Sequence, residues 1–229
     1  MQADSTDKII LTDDGSHSLE SAQFEASYHS THGAIQETDT VFIQAALAHQ
    51  LSKAPEQLAI LEIGFGTGLN ALMSYLHSQK EAPQCQIQYL ALEAYPISSE
   101  TAAALNYTEE LAAPASQASF LAMHNLPNRW QTLAENFNFC LNIQRFEELT
   151  AQNAFDIVYY DAFSPNVQAE LWEEPMLRKI YEAMRPAACL TTYCAKGAFK
   201  RLLKSIGFRV EALPGPKGKR EMTRAFKEA

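Results

Sequence analysis

From residue 58 onward, short apolar runs alternate with stretches of helical period, and few folds accommodate that alternation. The runs are "LAILEIG" (58–64), "IQYLALE" (87–93), "FNFCLNI" (137–143), "FDIVYYD" (155–161), "ACLTTYC" (188–194) and "FRVEAL" (208–213). Most are rich in β-branched and aromatic residues and are bounded by turn formers, as buried strands are. Between them, "NALMSYLHSQ", "SSETAAALNYTEELA", "EPMLRKIYEAM" and "KGAFKRLLKSIG" repeat apolar residues at helical spacing. Strands alternating with helices imply a parallel sheet covered on both faces. "EMTRAFK" (221–227) follows "FRVEAL" across the Pro/Gly-rich "LPGPKGKR", which is hairpin spacing. The expectation is a Rossmann-like α/β fold with a mostly parallel seven-stranded sheet whose last strand is antiparallel.

Residues 1–57 break the pattern. "KIILTDDGSHSLESAQF" alternates around "DDG", which suggests a small β-hairpin turning there. "QETDTVFIQAALAHQLSK" then reads as a helix capped by Thr38 or Asp39. This segment is expected to be an N-terminal elaboration, 1–57, packed on a main domain, 58–229.

Bulk properties narrow the class further. A chain of 229 residues, 47% hydrophobic and 20% charged, has the composition of one globular unit. It shows no apolar run of membrane-helix length and no signal-peptide pattern at "MQADSTDKII". The cysteines at 85, 140, 189 and 194 lack CxxC spacing and sit in or beside apolar runs, so free thiols in a reducing cytoplasm are expected. The net charge of −9 is unevenly spread: residues 196–229 carry ten Lys/Arg against three Glu. A basic end on an acidic body can mark a nucleic-acid face, or be only a solvated helix and tail.

The first run ends in the most informative turn. "LAILEIGFGTGLN" places Glu62 at a strand end, then Gly64, Gly66 and Gly68 before a helix. Such a junction collects unpaired backbone N–H groups at a positive dipole end, and glycines let a ligand approach closely. A dinucleotide fingerprint needs Gly or Ala three residues after its second glycine, but Leu69 stands there, and no Gly-Lys-Ser/Thr of an ATP-type loop is present. Glu62 would repel a phosphate and tolerate a cationic ligand. About 25 residues past Gly68, Glu93 ends the next strand, where a carboxylate accepts hydrogen bonds from both hydroxyls of a ribose. The turn with Glu93 resembles class I S-adenosylmethionine-dependent methyltransferases. In such enzymes a polar residue after the third strand often sits near adenine, and Glu147 or Glu148 of "RFEELT" is the candidate, although both also suit a helix's first turn.

"FDIVYYDAFSPNVQAELW" is the second informative stretch. Asp161 ends the fourth strand, where open α/β sheets place their chemistry. A carboxylate there would lie near a transferable methyl and orient an amine nucleophile. Phe163 has the position to stack on a flat base, and Pro165 halts regular structure.

"GFGTGLN", "YYDAFSPNVQAELW", "GKREM" and the early "LTDDGSHS" and "YHSTHGAIQETDTVFI" together resemble the tRNA 5-methylaminomethyl-2-thiouridine methyltransferase family, across nearly the whole chain. That family is the methyltransferase half of the bifunctional MnmC enzymes, which also occurs alone as MnmD. The resemblance implies methyl transfer from S-adenosylmethionine to the amine of 5-aminomethyl(-2-thio)uridine at the wobble position, with the tRNA anticodon arm as partner. It implies cofactor contacts from Glu62, Gly64, Phe65, Gly66, Gly68, Asn70, Glu93 and Glu147, with Asp161 shared between cofactor and catalysis. Phe163, Pro165, Lys219, Arg220 and Glu221 would meet the substrate, Lys219 and Arg220 through the tRNA backbone. The chain stops at Ala229, so no fused FAD-dependent oxidase domain is expected in it.

No metal is expected. His29 and His32 stand three apart with no Cys, Asp or Glu at ligand spacing, and a substrate-facing or merely polar turn suits them better. The nearest rival is a polyamine synthase-like aminopropyltransferase, which shares the fold and transfers to an amine but has no need of a basic "GKREMTRAFK" end. A cofactor-free adaptor is the second.

Overall fold

The structure is a computed structural model and describes residues 7–228. Three short strands open it: β1 (Lys8–Leu11), β2 (His17–Ser21) and β3 (Ala26–Ser27), an antiparallel sheet whose first turn is the expected "DDG". The hairpin expectation holds, with β3 added. Asp14 Oδ1 accepts from the Ser16 backbone N–H (3.1 Å) and from the Thr12 hydroxyl (2.8 Å), which locks the turn.

The following helix, α1, is continuous over 34–51: an α turn (Ala34–Thr38), a π-helical stretch (Asp39–Ala48) and a last turn (His49–Leu51). It begins at Gly33, so neither Thr38 nor Asp39 caps it. Thr38 lies inside the helix, fully buried, and its hydroxyl donates to Asn70 Oδ1 at 2.9 Å. The helix is apolar around most of its circumference because it is covered by the strands Phe155–Tyr160, Met184–Thr192 and Glu221–Lys227 and by the helix Leu69–Glu81.

The remaining elements are β4 (Gln57–Ile63), α2 (Leu69–Glu81), β5 (Gln86–Glu93), α3 (Ser99–Ala103), α4 (Tyr107–Glu110), α5 (Gln117–Asn125), β6 (Gln131–Ala134), β7 (Phe137–Ile143), β8 (Phe155–Tyr160), α6 (Glu174–Ala183), β9 (Met184–Thr192), α7 (Gly197–Ile206), β10 (Phe208–Pro214) and β11 (Glu221–Lys227). They form one sheet of order β10-β11-β9-β8-β4-β5-β7-β6. It has eight strands, not seven: β6 adds an antiparallel edge to β7, with too short and polar a sequence ("QTLA") to show periodicity. Strands β9, β8, β4, β5 and β7 are mutually parallel, and β11 runs antiparallel to both neighbours as expected. "SSETAAALNYTEELA" is two short helices, not one. Ser98 caps the first by accepting the Thr101 N–H, and Asn106 separates them while bonding the His17 N–H (2.8 Å) and Gly15 C=O (2.8 Å) of the N-terminal sheet.

Period-2 alternation divides the core. Leu58 and Ile60 join Val41, Phe42 and Leu72 on one face, whereas Leu61 and Ile63 join Leu177, Ile180 and Leu203 on the other. The order in which the chain adds strands reverses between the parallel neighbours β4 and β8: β5 and β7 extend one side, β9 the other. That switch point brings the end of β4 beside the end of β8, where the Asp161 N–H donates to Ile63 C=O at 2.9 Å. Among the described residues no helix is long and apolar enough to cross a membrane, and the four cysteines are free and buried.

Candidate active site

A cavity of about 420 Å³ opens at the carboxyl ends of β4, β5 and β8. The glycine turn forms its floor. Gly64 and Phe65 donate their N–H groups to Leu92 C=O (3.1 and 3.2 Å), tying the turn to β5, and Gly68 starts α2 from a left-handed conformation. Gly64 has φ +88°, and a Cβ there would stand 2.7 Å from the Asp161 carbonyl oxygen, so only glycine lets the two strand ends touch.

Glu93 sits at the second wall. Its Oε2 accepts the Gly66 N–H (3.0 Å) and its Oε1 the Tyr95 N–H (2.8 Å). Burial raises its pKa, and those backbone donors pull the other way. The carboxylate is thus fixed at the cavity edge with lone pairs to spare for a diol. Glu93→Gln sets an amide donor against those N–H groups. It is expected to weaken S-adenosylmethionine and S-adenosylhomocysteine binding by roughly tenfold or more by titration calorimetry, as loss of charge-assisted hydrogen bonds does.

Asp161 lines the opposite end of the turn. Burial raises its pKa from 3.8 to about 7; a hydrogen bond from Asn70 opposes the rise, the nearby Glu37 adds to it and Lys219 subtracts. Asn70 Nδ2 reaches both Asp161 Oδ2 (2.8 Å) and Glu62 Oε1 (2.9 Å), while Tyr89 OH donates to Glu62 Oε2 (2.9 Å). The amide therefore pins one oxygen of Asp161 and leaves Oδ1 for another partner.

The cavity brings together Gly64, Phe65, Gly66, Asn70, Glu93, Asp161, Phe163 and Lys219 of the expected residues. It leaves out six others. Glu62 has no exposed surface and points into the core between β4 and α2, its pKa raised well up by burial, so it supports Asn70 instead of meeting a ligand. Gly68 is turned toward His124 and Phe65 behind the floor. Glu147 is paired with Arg145 outside the cavity, and the neighbouring Phe146 lines it in Glu147's place. Pro165, Arg220 and Glu221 border an adjoining shallower groove of about 570 Å³, which shares Ser164, Tyr193 and Lys219 with the main cavity.

The basic end is not the free cationic surface its composition suggests. Lys219 pairs with the buried Glu37, Lys217 with Asp13 (3.4 Å), Lys200 with Glu221 (2.7 Å), and Arg224 with Glu211 (2.8 Å). Two of those acids belong to the N-terminal segment, so part of the charge asymmetry holds the two ends of the chain together. Glu221 is the partner of Lys200 and of neither Lys219 nor Arg220.

Sequence reasoning gave His29 as part of a substrate-facing or merely polar turn and missed the rest of the outer wall. Phe24, Tyr28, His29 and Glu37 from the N-terminal segment, with Tyr95 and Tyr193, complete the cavity wall. Phe24 and Tyr28 pack on Phe163 at ring separations of 4.7 and 5.1 Å. His29 is half-buried and hydrogen-bonded to Ser18 Oγ (3.2 Å); desolvation lowers its pKa to about 4, which makes it a neutral wall residue. Among the described residues no cluster of three His, Cys, Asp or Glu is arranged for a metal.

The glycine cradle, the backbone-anchored Glu93 and the aromatic walls fit a nucleoside-bearing cation such as S-adenosylmethionine. Comparisons with known proteins agree with the geometry. The family model described as S-adenosyl-L-methionine-dependent methyltransferase matches residues 108–228, more than half of the chain. The tRNA 5-methylaminomethyl-2-thiouridine biosynthesis bifunctional protein MnmC of Cupriavidus necator is 30% identical over 210 residues, 89% of this chain and 32% of that protein. Its counterpart in Aromatoleum aromaticum is 30% identical over 230 residues, 95% of this chain and 35% of that protein. The chain thus spans about a third of the length of these relatives. In fold it superposes on MNMC2 from Aquifex aeolicus with a TM-score of 0.79 at 23% identity, covering 100% of this chain and 72% of that one. Spermidine synthase from Thermotoga maritima gives 0.55 at 12%, covering 97% and 72%. The resemblance drawn from "GFGTGLN" and "YYDAFSPNVQAELW" is borne out, and the chain belongs to the S-adenosyl-L-methionine-dependent methyltransferase family.

Proposed function

We propose that the protein transfers a methyl group to the amine of 5-aminomethyl(-2-thio)uridine at the tRNA wobble position, in the cytoplasm. The observation that carries this reading is the meeting of two carboxylates, Asp161 and Glu37, in one cavity with the glycine turn. They are the groups an aminomethyl substituent would encounter. The names of the relatives supply the tRNA part of the reading.

S-adenosylmethionine, held by Gly64, Phe65, Gly66 and Glu93, would supply an electrophilic methyl on sulfur. An incoming amine arrives protonated and cannot attack until it loses that proton. Asp161 Oδ1 accepts it, and with a pKa of about 7 the carboxylate is matched to a working pH near neutrality. Asn70 keeps the carboxylate oriented during the exchange. Phe163, braced by Phe24 and Tyr28, offers a flat wall for the uracil ring.

The groove at Pro165 and Arg220 suits the sugar–phosphate chain on either side of the target nucleotide. Arg220 and Lys196 have no acidic partner within ion-pair distance among the described residues. Arg220→Ala is expected to raise the KM for tRNA and to flatten its log–log salt dependence by about one unit, with kcat little changed.

The deciding experiment is labelled-methyl transfer to tRNA from cells lacking the protein, followed by nucleoside analysis. Label in 5-methylaminomethyl uridine supports the reading. Transfer of an aminopropyl group from decarboxylated cofactor to a diamine, with tRNA inert, moves the chain to the polyamine class.

A further inference from the structure

Lys219 is the odd member of the cavity wall. It lies on the loop between β10 and β11, yet its ammonium points inward, ion-paired with Glu37 and 4.3 Å from the centre of the Tyr193 ring. Glu37 is 6% exposed. Its Oε2 is anchored by the Ser30 N–H at 2.8 Å, which leaves Oε1 facing a cation. A buried carboxylate without a partner is costly, so this oxygen needs a positive charge in the resting protein and as the substrate enters. A fixed carboxylate beside an aromatic face is also the chemistry that recognises an alkylammonium.

We propose that Glu37 Oε1 and the Tyr193 ring form an alkylammonium subsite, which the Lys219 side chain fills in the substrate-free protein and yields to the acceptor's amine. The proposal rests on the reading of a primary amine as the methyl acceptor. Lysine's ammonium is itself a primary alkylammonium on a flexible four-carbon stem, so it matches the group that replaces it. Exchange of one ammonium for another keeps Glu37 paired while the substrate enters, and the methylated product leaves as an ammonium again. It also delivers the acceptor nitrogen into the cavity that Asp161 lines. A 5-substituent ending in a hydroxyl carries no charge with which to displace Lys219, so the exchange selects amine over alcohol.

The test uses ethylammonium chloride as the probe, with potassium chloride at equal ionic strength as control. In Lys219→Ala, ethylammonium is expected to bind saturably in the millimolar range and raise the Tm, because a ligand of the native state alone stabilises it. The parent should bind at least about tenfold more weakly, since its own lysine competes. Lys219→Ala/Glu37→Gln should show no ethylammonium effect beyond the salt control. Lys219→Ser, which vacates the same space, is made alongside so that a folding defect in the alanine variant does not decide the result; it should bind the probe as Lys219→Ala does, and no binding to a folded Lys219→Ser overturns the subsite equally. Equal binding to parent and Lys219→Ala, or none to a folded Lys219→Ala, overturns the subsite. The labelled-methyl assay separates the two readings. Methylated tRNA without ethylammonium binding sinks the subsite alone, whereas the expected binding pattern with inert tRNA keeps the subsite and sinks the tRNA assignment.

Discussion

Asp161→Asn is expected to lower kcat by about 10²–10⁴-fold, the range general-base removal spans, while cofactor affinity changes only a few-fold. Asparagine keeps the shape and still meets Asn70, but it cannot take a proton from an ammonium. The pH profile distinguishes loss of a base from loss of geometry. In the parent, methyl transfer should rise with pH through an acid limb at or below about pH 7, because burial lifts the free protein's Asp161 to about 7 and a neighbouring cation lowers it. Asp161→Asn should lose that limb. Stability supplies an independent check. The folded-state pKa lies above the ordinary aspartate value of 3.8, so the folded chain binds more protons than the unfolded one between about pH 4 and 7. This contribution to stability therefore falls as pH rises across that window. The asparagine variant should show less of that decline and a higher Tm than the parent above pH 7. Near-parental turnover in Asp161→Asn would remove Asp161 from the chemistry.

Gly64→Ala is the second large effect, and it tests the floor of the site. The new Cβ would meet the backbone oxygen of Asp161 at 2.7 Å with φ at +88°, so both steric contact and backbone strain oppose it. Neither partner is the tip of a flexible side chain, and relief requires the ends of β4 and β8 to part. A loss of about 1–3 kcal/mol, several degrees in Tm, is expected together with weakened cofactor binding. Gly66→Ala is the internal comparison. Its Cβ would meet the Tyr28 ring edge at 3.0 Å, which a small ring movement relieves, so it should cost less stability at the same kind of turn position. If Gly64→Ala melted within about 1 °C of the parent and bound S-adenosylmethionine normally, the contact between the two strand ends would be wrong.

The elements most legible in the sequence were those whose signal is local. β4, β5, β7 and β8 coincide with the apolar runs within a residue or two, because burial on both faces writes an almost unbroken apolar string, whereas the edge strand β10 and its partner β11 lie where the hairpin spacing around "LPGPKGKR" puts them. Strand β9 begins earlier than its run, at Met184, since α6 passes straight into it and "MRPAA" carries no strand pattern. The helix 34–51 was recognised but its start was misplaced, because Thr38 and Asp39 are capping types and the residue at the true start is Gly33. Among site residues, Glu93 and Asp161 follow from strand ends alone. Glu62 misled for a related reason: on a strand with two buried faces, an acid at a strand end has no sequence mark that tells a ligand contact from a core hydrogen bond.

Chain order and local pattern determined the α/β alternation, the glycine turn between β4 and α2, and the carboxylates that end β5 and β8. Each depends on neighbours within one turn of helix or one strand, which is the range over which periodicity and turn chemistry act. Only the tertiary structure decided what stands opposite them. Glu37 and Lys219 are separated by 182 positions, and they meet because the β10–β11 loop folds over the N-terminal segment. No period or motif connects residues that distant. Their partnership is set by which faces the core leaves open, and that is a property of the packed sheet and its helices.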